Sequence, residues 1–464
     1  MSAQFNDEPA LTDQLDRKAW VKWFAGNIRN CEPPYVFSVH ADWGAGKTSF
    51  LWQTHYYLTG RPPVENPRLS PPPDELAEER KKQPPLIVVW FEAWRFQYDP
   101  APIVSLLQRM RESLAWYAKT SEEARKLGEV TVRSILGFVD KIIACVAKEV
   151  VPGAEVSSSS IQQAGEKWEA EHYYTPSLSK DVHSHLLEVI NKLAGNTARV
   201  VVLIDDLDRC QPEAAYKLLE GIKIYLSLPN CIFVLAMDQR QLERAIAQCL
   251  PAVAKDDANT GVALQQAREY LEKIFQDVWQ LPLIAPEDYH TFLCRQLDID
   301  PVNIAPPLDK ILSILKQSSY LPANARKLKA YVNSLRRFVE HCKPYEGQDA
   351  DWHARMLVIM SYFYQFHSEI YRRLEGSPGF YNEIIEWLRE RRTAHAVLAN
   401  IEVAVSSGDA KKKDESAENV GRGRFQAFPD PAIGNVFRIR ALVDSHGVVT
   451  EDQVRHYLLR HART

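Results

Sequence analysis

The sequence lacks the patterns that place a chain in a membrane or direct it to secretion. A membrane-spanning helix needs about 20 mostly apolar residues. The best candidate, residues 135–147, is shorter and carries Asp140 and Lys141 at its centre. The N-terminus also lacks the basic and apolar regions of a signal peptide. We therefore expect no transmembrane segment and a cytoplasmic location.

Cysteine usage and net charge do not indicate a function either. The seven cysteines have irregular spacings, and none forms a metal-binding or redox pair, so reduced thiols are expected. The formal net charge of −4 gives no overall attraction for nucleic acid, although contact through a local basic surface stays open. The 464 residues, 45% of them hydrophobic, suffice for two or three domains of a soluble protein.

What the sequence does contain is a turn with the pattern of a phosphate-binding loop. The turn follows an apolar strand predicted over 35–40 and precedes a predicted helix. Glycine lets backbone N–H groups approach phosphate oxygens, the lysine reaches the β- and γ-phosphates, and the next hydroxyl binds Mg²⁺. The expected nucleotide-binding residues are Trp43, Gly44, Ala45, Gly46, Lys47, Thr48 and Ser49, with Lys47 also catalytic and Thr48 also a metal ligand. Ala41 replaces the usual first glycine of the pattern.

A second signal lies much later in the chain. Residues 200–204 are apolar and mostly β-branched, which is typical of a parallel strand buried on both faces. The run ends in Asp205 and Asp206, and sheets of this kind bind ligands at the carboxyl ends of their strands. We expect Asp205 to hold the Mg²⁺ shell and Asp206 to orient or deprotonate the attacking water. The two signals together predict a site for a nucleoside triphosphate.

A third strand, predicted over 231–237, ends at Asp238. Two interpretations of Asp238 stay open. It senses the γ-phosphate from the tip of a strand beside the two motifs, or it caps the helix that follows. One residue can serve both purposes.

Five segments resemble the KAP family of P-loop NTPases. The most specific is Asp205-Asp206-Leu207-Asp208-Arg209-Cys210, and the tryptophan-containing loop 43–48 is the second. Segment 89–95 resembles the family's aromatic strand end, segment 325–333 its downstream helix with Arg and Asn, and segment 13–17, more weakly, its N-terminal helix near the nucleotide base. The resemblance implies an ATP-binding α/β core with a helical insertion and lid. It also implies relatives in bacterial phage exclusion and in membrane-associated signalling scaffolds.

The predicted fold class is α/β: a P-loop NTPase with a mostly parallel sheet, a helical insertion between the two nucleotide motifs, and a helical lid and C-terminal region. The first part of the core is expected over 1–105, with a helix over 10–30 and a proline-rich insertion over 61–85 that holds a charged helix over 74–82. The further expected divisions are the helical insertion 106–178, the second part of the core 179–285, the lid 286–340, and the C-terminal helical region 341–464 with a disordered loop 406–424.

Two arginines are candidates for completing catalysis, because phosphoryl transfer needs positive charge beyond that of Lys47. Arg209 follows the acidic pair and would serve its own site or that of a neighbouring subunit. Arg326 lies in the expected lid helix and would couple nucleotide state to lid position. For each arginine the alternative is a surface ion pair worth under about 1 kcal/mol.

The resulting hypothesis is a KAP-type ATPase that uses binding and hydrolysis of Mg-ATP as a conformational switch or motor. Its partners would be other proteins, with self-association open, and its setting antiviral defence by phage exclusion, a role that comes from the resemblance alone. The alternative is an ATP-binding scaffold or signalling module with little hydrolysis. A GTPase is disfavoured because the nearest guanine-reading pattern, Asn191-Lys192-Leu193-Ala194, lacks the final carboxylate.

Overall fold

The computed structural model describes residues 8–63, 72–74, 77–150, 178–225, 230–250, 260–284, 286–297, 307–316, 321–386, 442–443 and 446–459. Their contacts divide the chain into two compact units, which meet in sequence between Pro282 and Leu283. The first unit contains all the described strands, and the second is helical. The expected loop 406–424, most of residues 64–76, and residues 151–177 lie outside the described residues.

The first unit is built on one five-stranded sheet in the order β2-β3-β4-β1-β5, with every neighbouring pair parallel. The strands are β1 (Tyr35–His40), β2 (Leu86–Glu92), β3 (Arg199–Asp205), β4 (Cys231–Met237) and β5 (Asp277–Gln280). The parallel sheet confirms the fold class predicted from the sequence. Because β4 lies between β1 and β3, the residues that follow these three strands share one edge of the sheet.

Both faces of the sheet are covered by helices, which explains the continuous apolar runs in its central strands. Alternate side chains of β3 enter different cores: Val200, Val202 and Ile204 one, Val201 and Leu203 the other. The second core includes helices α1 (Lys18–Asn30) and α2 (Lys47–Thr59). The first core includes residues of α4 (Pro102–Thr120), α6 (Glu129–Val150), α7 (Leu178–Ala194), α8 (Pro212–Tyr225), α9 (Gln239–Cys249) and α10 (Thr260–Glu272). Two short helices, α3 (Ala77–Lys81) and α5 (Glu122–Arg125), complete the first unit.

The second unit consists of helices that bury an apolar core of their own. Its elements are α11 (Pro286–Leu297), α12 (Leu308–Lys316), α13 (Ala325–His341), α14 (Ala350–Phe366), α15 (Ser368–Gly376) and α16 (Glu451–His456). Thr450 and Gln453 form the capping box that their spacing predicts at the start of α16. Among the described helices of the chain, none combines the length and the apolarity needed to cross a membrane.

Two helix predictions from the sequence are wrong in extent. The helix expected over 10–30 begins only at Lys18, because the Asp13 carboxylate accepts hydrogen bonds from the backbone N–H groups of Leu15, Arg17 and Lys18 and holds the preceding segment in a turn. Of the helix expected over 74–82, the described helix is Ala77–Lys81, with Asp74 and Lys82 outside it, and residues 75–76 lie outside the described residues. Six of the seven cysteines are described and all six are free thiols.

Two helical glycines provide a matched test of this packing. A methyl group at Gly221 of α8 would lie 2.7 Å from the Cβ of Ile103 on α4, whereas one at Gly26 of α1 would meet nothing within 4 Å. We expect Gly221→Ala to lower the free energy of unfolding by about 1–3 kcal/mol through overpacking. We expect Gly26→Ala to raise it by about 0.5–1 kcal/mol because alanine favours the helix. Urea midpoints of the two variants that shift in the same direction would contradict the α4–α8 contact.

Candidate functional site

The glycine-containing turn joins β1 to α2 in the predicted position. Gly44 and Gly46 have positive φ values of 83° and 94°, a conformation that glycine adopts without strain. Gly46 is the residue before α2, so Lys47, Thr48 and Ser49 form the first turn of that helix. The loop is anchored to the neighbouring strand because the Ala41 N–H donates to the Met237 carbonyl at 3.3 Å. Because α2 begins directly after this loop, the first N–H groups of the helix have no partners within the helix and lie at the edge of the sheet. Such a helix N-terminus favours an anion.

Lys47 links this turn to the acidic segment after β3. Its side chain is only 7% exposed, and its ammonium group lies 3.4 Å from Oδ2 of Asp208. The same ammonium donates to the Ala41 carbonyl at 2.8 Å. Asp208 Oδ2 also accepts the backbone N–H of Asp238 at 2.7 Å. Asp208 thus joins the turn, the acidic segment and the tip of β4. From the sequence it is a member of the acidic motif without a role of its own.

Asp205, the last residue of β3, is the most buried carboxylate of the site, at 1% exposure. Thr48 donates a side-chain hydrogen bond to it, so the two residues predicted as metal ligands are in contact. Within the described part of the chain, Oδ1 of Asp205 is buried without a hydrogen-bond partner. Burial, and next the neighbouring Asp206 charge, raise the pKa of the Asp205 carboxyl above its usual range.

Asp206 has a left-handed backbone with φ of 57°, which is uncommon for a residue other than glycine and is found at functional sites. Its Oδ1 lies 2.9 Å from Nε of Arg209 in an ion pair. Burial raises the pKa of Asp206, and the Arg209 charge opposes that shift. The Arg209 guanidinium also lies 5.9 Å from the Trp43 ring centroid, and Trp43 is 63% exposed. Arg209 therefore lies near both Asp206 and Trp43 of the predicted site.

Asp238 is the N-cap of α9. Its side chain accepts hydrogen bonds from the N–H groups of Arg240 and Gln241, which confirms the cap interpretation. The sensor interpretation of Asp238 stays a prediction. Arg326 is the second residue of α13, in the second unit, and its expected role in closing the site also stays a prediction.

From the sequence, Arg17 is only the last residue of segment 13–17, which weakly resembles the family's N-terminal helix. This arginine is 4% exposed, and it donates to the Ala45 carbonyl at 2.8 Å and to the Pro282 carbonyl at 2.5 Å. Burial lowers the pKa of its guanidinium to about 10, so it stays charged at neutral pH. Arg17 connects the glycine-containing turn to the last residue of the first unit.

The segment before Arg17 also contacts the turn and the helix after it. The Ala10 N–H donates to the Ser49 hydroxyl at 3.1 Å, and the Gln53 amide donates to the carbonyls of Ala10 and Thr12 at 3.2 Å each. The weak resemblance of segment 13–17 to a family element was the one sequence signal in this region.

A glycine turn that leads into a helix, a lysine and a hydroxyl in the first turn of that helix, and an acidic strand end two strands away define the class of P-loop NTPases. The sequence model of the KAP family P-loop domain matches residues 17–341, more than half of the 464 residues. The chain belongs to the KAP family.

Comparison with individual proteins adds little to the family assignment. The ORC2 protein of Aeropyrum pernix, solved as ADPNP-ADP complexes, is 11% identical, with 97% of this chain and 94% of that chain covered and a TM-score of 0.38. No curated protein matches the chain significantly.

The Arg17 contacts predict that Arg17→Lys lowers the free energy of unfolding much more than the same substitution does at the exposed Arg125. Arg17→Lys replaces a guanidinium that donates to two carbonyls with a single ammonium group. Hydrogen bonds to charged groups contribute about 1.5–3 kcal/mol. We expect Arg17→Lys to lower the free energy of unfolding by about that amount in urea denaturation. Arg125, whose guanidinium bonds the Lys119 carbonyl at an exposed position, is the control. Equal effects of Arg17→Lys and Arg125→Lys would contradict the bridging role.

Two Asp→Asn substitutions in the acidic segment should change the unfolding temperature in opposite directions. The temperature is measured in the absence of nucleotide and metal. The folded-state pKa of Asp205 is raised, so its contribution to stability is present below the unfolded pKa and is lost as pH rises through the folded pKa. At pH 7.5, Asp205→Asn should therefore raise the unfolding temperature, at about 2–4 °C per kcal/mol. Asp208→Asn should lower it, because the Lys47 ammonium loses its carboxylate. Shifts of the same sign would contradict this assignment of charges.

Proposed function

We propose that this KAP protein binds Mg-ATP at the turn that contains Lys47 and hydrolyses it. The observation that carries the proposal is the buried contact of the Lys47 ammonium with Asp208, beside the Thr48–Asp205 hydrogen bond. A lysine, a hydroxyl and a carboxylate meet where the first turn of a helix faces the edge of the sheet. This combination of groups suits the β- and γ-phosphates of a nucleotide and their metal ion.

The donor set fits Mg²⁺. The cation prefers oxygen ligands and is commonly held by one or two carboxylates together with phosphate oxygens and waters. Asp205 has a buried carboxylate oxygen without a partner in the described chain, and Thr48 supplies the adjacent hydroxyl. When bound, the ion neutralises charge that develops on the phosphate oxygens.

The residues around the phosphates have separate roles in binding and hydrolysis. The turn around Gly44 and Gly46 presents backbone N–H groups, and Lys47 exchanges Asp208 for phosphate oxygens. Asp206 orients the attacking water and accepts its proton, since its raised pKa makes it a better base than an ordinary exposed carboxylate. Arg209 pairs with the Asp206 carboxylate at 2.9 Å and would support charge at the transition state.

We further propose that nucleotide binding acts as a conformational switch. Arg17 joins the turn at Ala45 to Pro282, directly before the second unit begins. A change in the turn on phosphate binding would therefore pass through the Arg17 hydrogen bonds to Pro282 and along the chain into the helical unit, where Arg326 would respond as a sensor. The output would be a change in binding of a partner protein or of a second copy of the chain, in the cytoplasm. A place in anti-phage defence follows from the KAP resemblance alone.

A specific observation favours the alternative function of an ATP-binding scaffold. Lys47 is held by both Asp208 and Ala41, and Asp206 is held by Arg209. A site in which both groups kept these partners would bind nucleotide without fast turnover. In that case ATP would stabilise the fold and an activator would be needed to release Asp206.

Phosphate release from Mg-ATP distinguishes the two functions. We expect measurable turnover by the full chain and a loss of roughly 100-fold or more in Lys47→Ala and Asp206→Ala, which remove charge stabilisation and general-base assistance. Asp140→Asn, which removes an ion pair with Arg111 between α4 and α6, is the matched control and should keep the rate. ATP binding without turnover in any form would favour the scaffold, and absence of ATP binding would contradict the central proposal.

A further inference from the structure

A second cavity, of about 570 Å³, lies beside the edge strand β2. Side chains from α2, β2 and α4 and from the segments after α2 and β2 line it, and neither Lys47 nor Thr48 is among them. Its volume is within the range of about 300–1,000 Å³ that holds small organic ligands. The cavity is therefore separate from the nucleotide site, although both adjoin the carboxyl end of the sheet.

The cavity carries a positive charge that the described protein does not neutralise. Arg61, Arg95 and Arg109 line it together with two carboxylates, Glu92 and Glu112. Arg95 pairs with Glu92 and Arg109 with Glu112 at 2.7 Å. In the described part of the chain, no carboxylate pairs with the Arg61 guanidinium, and its Nε is buried without a hydrogen-bond partner. One net positive charge remains, and it belongs to Arg61.

Arg61 is held in a fixed orientation. Its guanidinium stacks on Trp116, 3.2 Å from the ring centroid, and its backbone carbonyl accepts a hydrogen bond from the Thr59 hydroxyl at 3.1 Å. Stacking occupies the face of a guanidinium and leaves its N–H edge available, the geometry in which arginine binds phosphate or carboxylate with two parallel bonds. Burial lowers the pKa of the adjacent His55 to about 4, so this histidine is neutral and does not repel a ligand cation or attract an anion by charge.

Aromatic side chains form part of the wall. Trp90, Phe96 and Trp116 line the cavity, and Trp116 is 43% exposed. Flat apolar surfaces of this kind bind planar rings, including nucleobases, by stacking. The cavity thus offers an anion-binding edge and ring-binding surfaces within one volume.

We propose that this cavity binds a small phosphorylated aromatic molecule, of which a nucleoside monophosphate is the simplest representative. A single phosphate suits the one uncompensated guanidinium, whereas a triphosphate would bring several negative charges against it. Arg109 supplies the second contact, because its ion pair with Glu112 is exposed and such pairs contribute little. The ligand phosphate would face Arg61 and its ring would lie against the tryptophans.

The position of the cavity connects it with the nucleotide site through one residue. Glu92 is the register partner of Asp205 across β2 and β3, and its charge contributes to the raised pKa of Asp206. Its carboxylate is held by Arg95 and by the Trp90 indole N–H at 3.3 Å. A phosphate that drew Arg95 into the cavity would change the surroundings of Glu92.

The test is isothermal titration calorimetry of the full chain with AMP, GMP, CMP and UMP, with orthophosphate and a single-stranded oligonucleotide as comparison ligands. We expect at least one monophosphate to bind, with affinity retained in Lys47→Ala. Arg61→Ala should weaken it at least tenfold, because charge-assisted bonds to phosphate are lost. Arg61→Lys should have an intermediate affinity. Arg109→Gln, at an exposed ion pair, provides a variant that leaves the Arg61–Trp116 stack in place. Arg133→Ala, an exposed pair on α6, should change the affinity less than twofold.

The outcomes distinguish a monophosphate bound in this cavity from a ligand bound elsewhere in the protein. Binding of a monophosphate that survives Lys47→Ala and is weakened in both Arg61→Ala and Arg109→Gln supports the proposal, and stronger binding than orthophosphate supports the role of the ring. Binding that survives both arginine variants, or that is lost in Lys47→Ala, overturns it because the ligand then lies elsewhere. Binding of the oligonucleotide alone, or of none of the ligands, also overturns it. None of these results depends on ATP hydrolysis.

Discussion

The contact between the Lys47 ammonium and the Asp208 carboxylate is the interaction on which the rest of the site depends. It joins the turn after β1 to the acidic segment after β3 across the tip of β4, and it is nearly closed to solvent. Four carboxylates gather at this edge, those of Glu92, Asp205, Asp206 and Asp208, and charges of one sign destabilise one another when buried. Lys47 and Arg209 offset part of that repulsion. Phosphates would replace Asp208 as the partner of Lys47, so the resting structure holds the lysine where a nucleotide would need it.

The sequence was sufficient for the elements that follow from local pattern. The apolar run of residues 200–204 is buried on both faces, and this burial pattern is what a parallel central strand requires. The strand boundaries at 35–40 and 231–237 and the glycine turn before α2 also agree with the structure. Spacing along the chain predicted these features because each depends on hydrophobic periodicity or on backbone conformations that glycine permits. The contact of Thr48 with Asp205 follows from the same logic, since parallel strands end at one edge.

Other features depended on contacts between residues that are distant in sequence. Arg17 and Pro282 are 265 residues apart, and nothing in either neighbourhood indicates that their bond forms. The helix expected over 10–30 begins later than the sequence predicts, because the Asp13 carboxylate accepts hydrogen bonds from the Arg17 and Lys18 N–H groups. These local hydrogen bonds compete with the helical conformation. The central position of Asp208 was hidden for a similar reason: it stands in an acidic run in which only a tertiary contact with Lys47 distinguishes it from its neighbours. The cavity beside β2 arises from α2, β2 and α4 together, so no single motif predicts it.

The central claim is that Lys47 exchanges a carboxylate for nucleotide phosphates. The most direct measurement is a crystal structure of the full chain with Mg²⁺ and a non-hydrolysable ATP analogue. We predict that the lysine ammonium leaves Asp208 for phosphate oxygens and that Arg17 keeps its bond to Ala45. The metal should lie on Thr48 and on the Asp205 oxygen that has no hydrogen-bond partner among the described residues. A nucleotide bound elsewhere, with the Lys47–Asp208 contact intact, would contradict the claim.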